Sequence, residues 1–238
     1  MRYKSARPAS GPIAATLLAA LVLPLGGLAP ASAAPPTTAA IQGEALRQEQ
    51  RENRLISFWW LPTEYWQAAA REAGQSQAEV RRAGVLTEAY VILAGFDAEV
   101  SPTGPITGRD HADMAKRIHI LVGGESTEPL PGRVNPELAN MFRELTYVLR
   151  VALGPLANQT RIFLFPNLSD DGRPRLDSSK SGVLDARYRL GPPNGGETLD
   201  LRWRSPLTSV VGPRTCPEGG ESLEASWGYC PWHGVKLP

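Results

Sequence analysis

The chain is poor in the residues that most often carry chemistry. Its 238 residues include two cysteines, three histidines and three methionines. Two cysteines cannot build a disulfide-rich scaffold, and alone they cannot supply a four-thiolate metal site. No HExxH is present, which excludes the zincin pattern, and no GxSxG elbow offers a serine nucleophile. Gly123-Gly124-Glu125-Ser126 follows an apolar run but lacks phosphate-loop spacing. Neither sign of charge is in excess, with 25 basic and 24 acidic residues. That balance excludes a nucleic-acid partner as an expectation.

What is present begins with the N-terminus. Arg2, Lys4 and Arg7 precede an apolar run from Ile13 to Leu28, and Ala31-Ser32-Ala33 then fits the small-x-small rule for signal peptidase. The run is short and broken by Pro24, Gly26 and Gly27, so cleavage is expected rather than a retained anchor. Residues 1–33 read as a Sec-type signal, and the mature chain as exported, periplasmic or extracellular. Loss of three positive charges brings the net charge from +1 to about −2. About 205 residues remain, enough for one domain with a core and a small appendage. No later segment is long and apolar enough to span a bilayer.

Residues 34–54 read as a leader followed by a charged surface helix over 41–54. An apolar stretch, Leu55 to Leu61, runs into a helix started at Pro62 or Thr63. Ser76 and Glu79 form a capping-box pair for a short helix. Tyr90 to Ala94 and Ile118 to Val122 read as strands, and the intervening FDAEVSPTGPITGRD as a hairpin. Asn135-Pro136 opens the clearest helix, with apolar spacing from Leu138 to Leu149 and a stop at Gly154-Pro155. Arg161 to Phe165 reads as a strand. Residues 183–190 and 198–204 alternate strictly and are joined by GPPNGG as a hairpin. Such alternation means one buried and one wet face, as in antiparallel sheets. The expected fold for residues 55–212 is α+β, an antiparallel sheet with helices on one face.

The candidate sites are few. Asp110, His111, Asp113 and His119 form the one acid–histidine cluster and would carry a hydrolase, if any. A sheet histidine and a helix cap are the plainer reading. Arg187, Arg189, Arg202 and Arg204 line the outer faces of two strands, with Asp185 and Asp200 between them. They would form either an anion-binding face or cross-strand ion pairs. Phe58, Trp59, Trp60, Tyr65 and Trp66 crowd nine positions. One or two, Trp59, Trp60 or Trp66, are expected at the surface as a contact for a protein or envelope partner.

Residues 213–238 form a separate unit. Both cysteines open Cys-Pro turns, in CPEGG at 216–220 and YCPWHGVKL at 229–237. The pair resembles the C-terminal zinc ribbon of many bacterial proteins, with the pattern CPxCG…CPxCGxxL. The whole mature chain is also similar to a family of uncharacterised exported bacterial proteins. The resemblance implies a zinc-ribbon-like hairpin with Cys216 and Cys230 as ligands, but Gly219 and His233 stand where the other two cysteines belong. Zinc on Cys216, Cys230 and His233 would be one ligand short, and neither Glu218 nor Glu221 occupies the knuckle position. The sulfurs of an intact ribbon lie ~3.8 Å apart, so a disulfide of ~2.05 Å needs a small approach. In an oxidising compartment the disulfide is the favoured expectation, at roughly 3 kcal/mol for a loop of about 15 residues. No cofactor is then required. An open three-ligand zinc site remains the hydrolase alternative.

Overall fold

The computed structural model describes residues 35–100, 104–132, 134–191 and 196–238. The signal-like segment lies outside them, as does part of the GPPNGG loop. The first element, α1 (Thr38–Ala45), is capped by Thr37, whose side chain accepts from the Ala40 N–H. Its Ile41 and Ala45 are fully buried. The chain then enters β1 (Leu46–Arg51), which pairs antiparallel with β2 (Arg54–Trp60). The charged surface helix expected over 41–54 is therefore a short helix, anchored by two buried residues, followed by a strand. Pairing with β2 overrides the helix-permissive composition of LRQEQR. As an edge strand, β1 is protected from further pairing by that same charge.

Helices α2 (Thr63–Glu72) and α3 (Gln77–Glu88) follow, and α3 starts on the Ser76–Glu79 capping box with both reciprocal bonds formed. Next come β3 (Tyr90–Glu99), β4 (Thr107–Gly108), α4 (His111–Ala115), β5 (Ile118–Val122) and β6 (Glu125–Thr127). Helix α5 (Pro136–Leu153) has Asn135 as its N-cap and Pro136 in its first turn. A 3-10 segment leads into β7 (Arg161–Pro166), and then β8 (Gly182–Arg189), β9 (Thr198–Ser205) and the short α6 (Thr208–Val211). Two two-residue strands, β10 (Arg214–Thr215) and β11 (Ser222–Leu223), are the last, and the second cysteine turn follows them.

The fold is α+β, with every strand pair antiparallel. The strands divide into two main sheets. In the first, β1, β2 and β3 lie in order, and the far edge of β3 is shared by β7 and β4. The second has the order β6-β5-β8-β9. Phe58 of β2 meets Tyr188 of β8 at 5.2 Å between ring centroids, so the two sheets face each other there.

This stacking decides the fate of the aromatic segment. Residues 56–60 are buried without alternation, because both faces of β2 are covered. Trp59 is 9% exposed, Trp60 3% and Trp66 4%. Trp59 packs on Phe96, and Trp66 on Phe142 of α5. The expected exposed patch at Trp59, Trp60 and Trp66 is corrected: all three are core.

A buried carboxylate also joins the sheets. Asp97 of β3 is 3% exposed. It accepts a two-pronged contact from Arg54, a bond from Arg109 Nε at 2.8 Å and one from the Tyr188 hydroxyl at 2.7 Å. Burial pushes its carboxyl up, but the bonds from Arg54 and Tyr188 and the charges of Arg54 and Arg109 outweigh it. The carboxyl is left below its ordinary value.

Candidate metal centre

The C-terminal hairpin contains two turns built alike. In each, the cysteine N–H donates to the carbonyl five residues on: Cys216 to Glu221 at 2.9 Å, Cys230 to Val235 at 2.8 Å. In each, the glycine four residues on donates back to the cysteine carbonyl: Gly220 to Cys216 at 3.0 Å, Gly234 to Cys230 at 2.8 Å. Both glycines hold positive φ, at 76° and 68°, which a larger residue adopts only with strain. The Gly219 N–H also points at the Cys216 sulfur, at 3.5 Å. Each turn is closed by a pairing of its own, the first by β10–β11 and the second by a bridge between Tyr229 and Lys236. Cys216, Leu223, Cys230 and Leu237 form a small core of their own, with Trp227 and Val235 packed on it.

The two cysteines are unbonded. The disulfide favoured from sequence is not formed; both sulfurs instead converge on one imidazole. His233 Nδ1 lies 3.3 Å from the Cys216 sulfur and 3.4 Å from that of Cys230. A fourth donor completes the group. Glu221 Oε2 is 3.7 Å from His233 Nδ1, and the ligand atoms of Cys216, Glu221, Cys230 and His233 all lie within 4.8 Å of one another. Among the described residues this is the one such cluster of three or more metal-ligating side chains.

Glu221 is the residue that sequence reasoning set aside, and its placement follows from Gly219. A Cβ at Gly219 would sit 2.2 Å from Glu221 Oε1 and 2.4 Å from Oε2. The carboxylate therefore fills the space that a ligand side chain at position 219 would enter. Glycine at that position makes the room, and a glutamate two residues later uses it. That pairing was the available signal. Glu221 Oε2 is buried without a hydrogen-bond partner, an arrangement that is costly unless a cation takes the bond. The contact with the Cys216 sulfur raises the His233 pKa; partial burial opposes this and the Glu221 charge adds to it. The pocket between these groups thus favours positive charge. Two sulfurs, one imidazole nitrogen and one carboxylate oxygen are a donor set that suits zinc. The residues present fit that ion.

The other candidates are occupied by the fold. Asp110 caps α4 by accepting from the Asp113 N–H at 2.8 Å. His111 lies flat on Phe163 and reaches the Ile162 carbonyl through Nε2 at 3.1 Å. Asp113 is paired with Arg109 and Arg117. His119 sits on β5 opposite Arg187. Burial, then the Arg187 and Arg189 charges, lower its pKa. Among the described residues no hydrogen bond links any two of Asp110, His111 and His119. The structure does not assemble them into a catalytic group.

The arginine face resolves in favour of ion pairs. Arg187 lies directly across from Asp200 in the register, and Arg202 from Asp185. Both pairs are bonded, at 2.8 Å and 2.5 Å. Arg189 donates to the Lys116 carbonyl. Arg204 lines a groove against the hairpin together with Arg47, Glu44 and Glu224. Exposed aromatics lie elsewhere: Tyr147 of α5 is 71% exposed, and Tyr229 and Trp232 of the hairpin are 62% and 63% exposed.

No protein-family profile matches the chain, and no curated protein matches it. One solved structure aligns with part of it, a DUF4426 family protein from Pseudomonas aeruginosa. It is 9% identical over 67% of this chain and 94% of that one, with a TM-score of 0.30. Both the identity and the score are too low to carry an argument. Among the described residues no helix is long and apolar enough to cross a membrane.

Proposed function

We propose that the protein is an exported, non-catalytic module whose C-terminal hairpin is closed by a structural zinc ion. Cys216, Glu221, Cys230 and His233 would hold it. The observation that carries this reading is the Glu221 carboxylate, lodged where the ribbon's missing fourth ligand would start. Four protein ligands leave no open position for water, which separates a structural site from a hydrolytic one. The ion would supply folding energy to a unit whose own core is only a few side chains. It would also fix the surface that presents Tyr229 and Trp232, two exposed aromatics suited to a protein or envelope partner.

The test is metal analysis of the full chain, purified under non-reducing conditions without added metal. One zinc per chain, with both thiols protected from alkylation until a chelator is added, supports the reading. A Cys216–Cys230 disulfide in protein that binds no zinc after reduction overturns it. A metal-loaded protein that also hydrolyses ester or peptide substrates would favour the hydrolase reading.

A further inference from the structure

A second site lies far along the sequence from the hairpin. Helices α2, α3 and α5, with Thr38 and Gln42 of α1, line an open cleft of about 630 Å³. That is within the range of roughly 300–1,000 Å³ typical of small-molecule sites. Its floor is alanine: Ala69 and Ala70 from α2, Ala73 at the C-cap of that helix, and Ala83 from α3. Small residues on two adjacent helices leave a void that longer side chains would fill. Its walls are Tyr65, Trp66, Leu86, Met141, Leu145 and Val148. Trp66 spends its N–H on the Leu61 carbonyl at 3.3 Å, so its ring offers the cleft an apolar surface. Val148 of the wall is 56% exposed, and Val151, three residues further along α5, is 79% exposed. An occupant therefore has an extended apolar body.

The rim fixes the sign of its head. Glu72, Glu79, Glu137 and Glu144 border the cleft, against the single cation Arg82. Arg82 is already paired with Glu137. Glu72 accepts from the Thr38 N–H and hydroxyl, and Glu79 from Ser76. Those bonds hold the carboxylates in place without cancelling their charge. Glu144 lies on the same helix as Val148, one turn before it, and is exposed.

We infer that this cleft binds a single-chain amphiphile with a cationic head, its apolar chain lying on the alanine floor and its head against Glu144. The combination of apolar walls and an acidic mouth selects a positive head over a negative one of equal chain length.

The test is calorimetric titration of the full chain, zinc present, with decylammonium and with decanoate, both below micelle formation. Saturable binding of one decylammonium, at least about tenfold tighter than decanoate, is expected. Ala69→Phe fills the floor and should weaken it by at least about tenfold. Should that variant fold poorly, Val148→Asp at the exposed mouth should weaken decanoate more than decylammonium. Equal binding of both heads, binding indifferent to both variants, or no saturable binding refutes the proposal. A dimer in sedimentation that Val148→Asp dissociates would refute it too, by assigning the cleft to a second copy. Binding of a basic amphipathic peptide but not decylammonium would do the same in favour of a helical partner. None of these outcomes depends on the hairpin.

Discussion

Replacing Asp97 by asparagine should be among the most damaging conservative changes in the body of the protein. The residue is 3% exposed and serves Arg54, Arg109 and Tyr188 at once. Asparagine keeps the volume and removes the charge, so Arg54 loses its counterion and Arg109 keeps only Asp113. Breaking a fully buried pair costs about 3–5 kcal/mol. Here Arg54 and Arg109 retain 22% and 33% side-chain exposure, and water relieves part of the loss. A cost of about 3 kcal/mol is therefore expected, or a fall in Tm of roughly 6–12 °C for a domain of this size. Tyr188→Phe alone should cost about 1–2 kcal/mol. Because Tyr188 and Asp97 share a bond, the double variant should cost less than the sum. The pH dependence has a definite sign. A carboxyl whose folded pKa is depressed stabilises above its unfolded value, about 3.9, and that contribution drains as pH falls through the lower folded value. Urea unfolding of the wild type and the three variants at pH 7 and pH 3 measures all of this. If Asp97→Asn lies within about 0.5 kcal/mol of wild type, or its deficit does not shrink at acid pH, the hub reasoning is wrong.

Three further outcomes are expected. Glu221→Ala should weaken zinc by at least about tenfold in a chelator competition, and adding Gly219→Cys should restore it, because the new side chain enters the space the carboxylate leaves. Trp59→Ala should cost about 3–5 kcal/mol by chemical denaturation, where a surface tryptophan would cost little. Arg202→Ala, which removes an exposed cross-strand pair, should change stability by no more than about 1 kcal/mol.

Much of the architecture could be read from local signals. The alternation in β8 and β9, the Asn135-Pro136 start of α5 and the Ser76–Glu79 box are short-range features, and each appears where its residues placed it. The cross-strand pairs of Arg187 with Asp200 and Arg202 with Asp185 follow from the same alternation once the register is known. Long-range packing was less accessible. Nothing within LRQEQR announces that β2 will pair with it, and nothing within FWW announces that both faces of β2 will be covered. At the hairpin the sequence showed two Cys-Pro turns and one missing ligand. That Glu221, two residues past Gly219, folds back into the gap is a property of the turn's three-dimensional path.

The central claim is that four side chains of the hairpin form a closed metal site. Zinc K-edge absorption of the purified full chain tests it most directly. The prediction is two sulfur neighbours at about 2.3 Å and two nitrogen or oxygen neighbours at about 2.0–2.1 Å, with the oxygen contribution lost in Glu221→Ala unless water replaces it. A shell without sulfur, or a Cys216–Cys230 disulfide in protein that takes up no zinc on reduction, would contradict it.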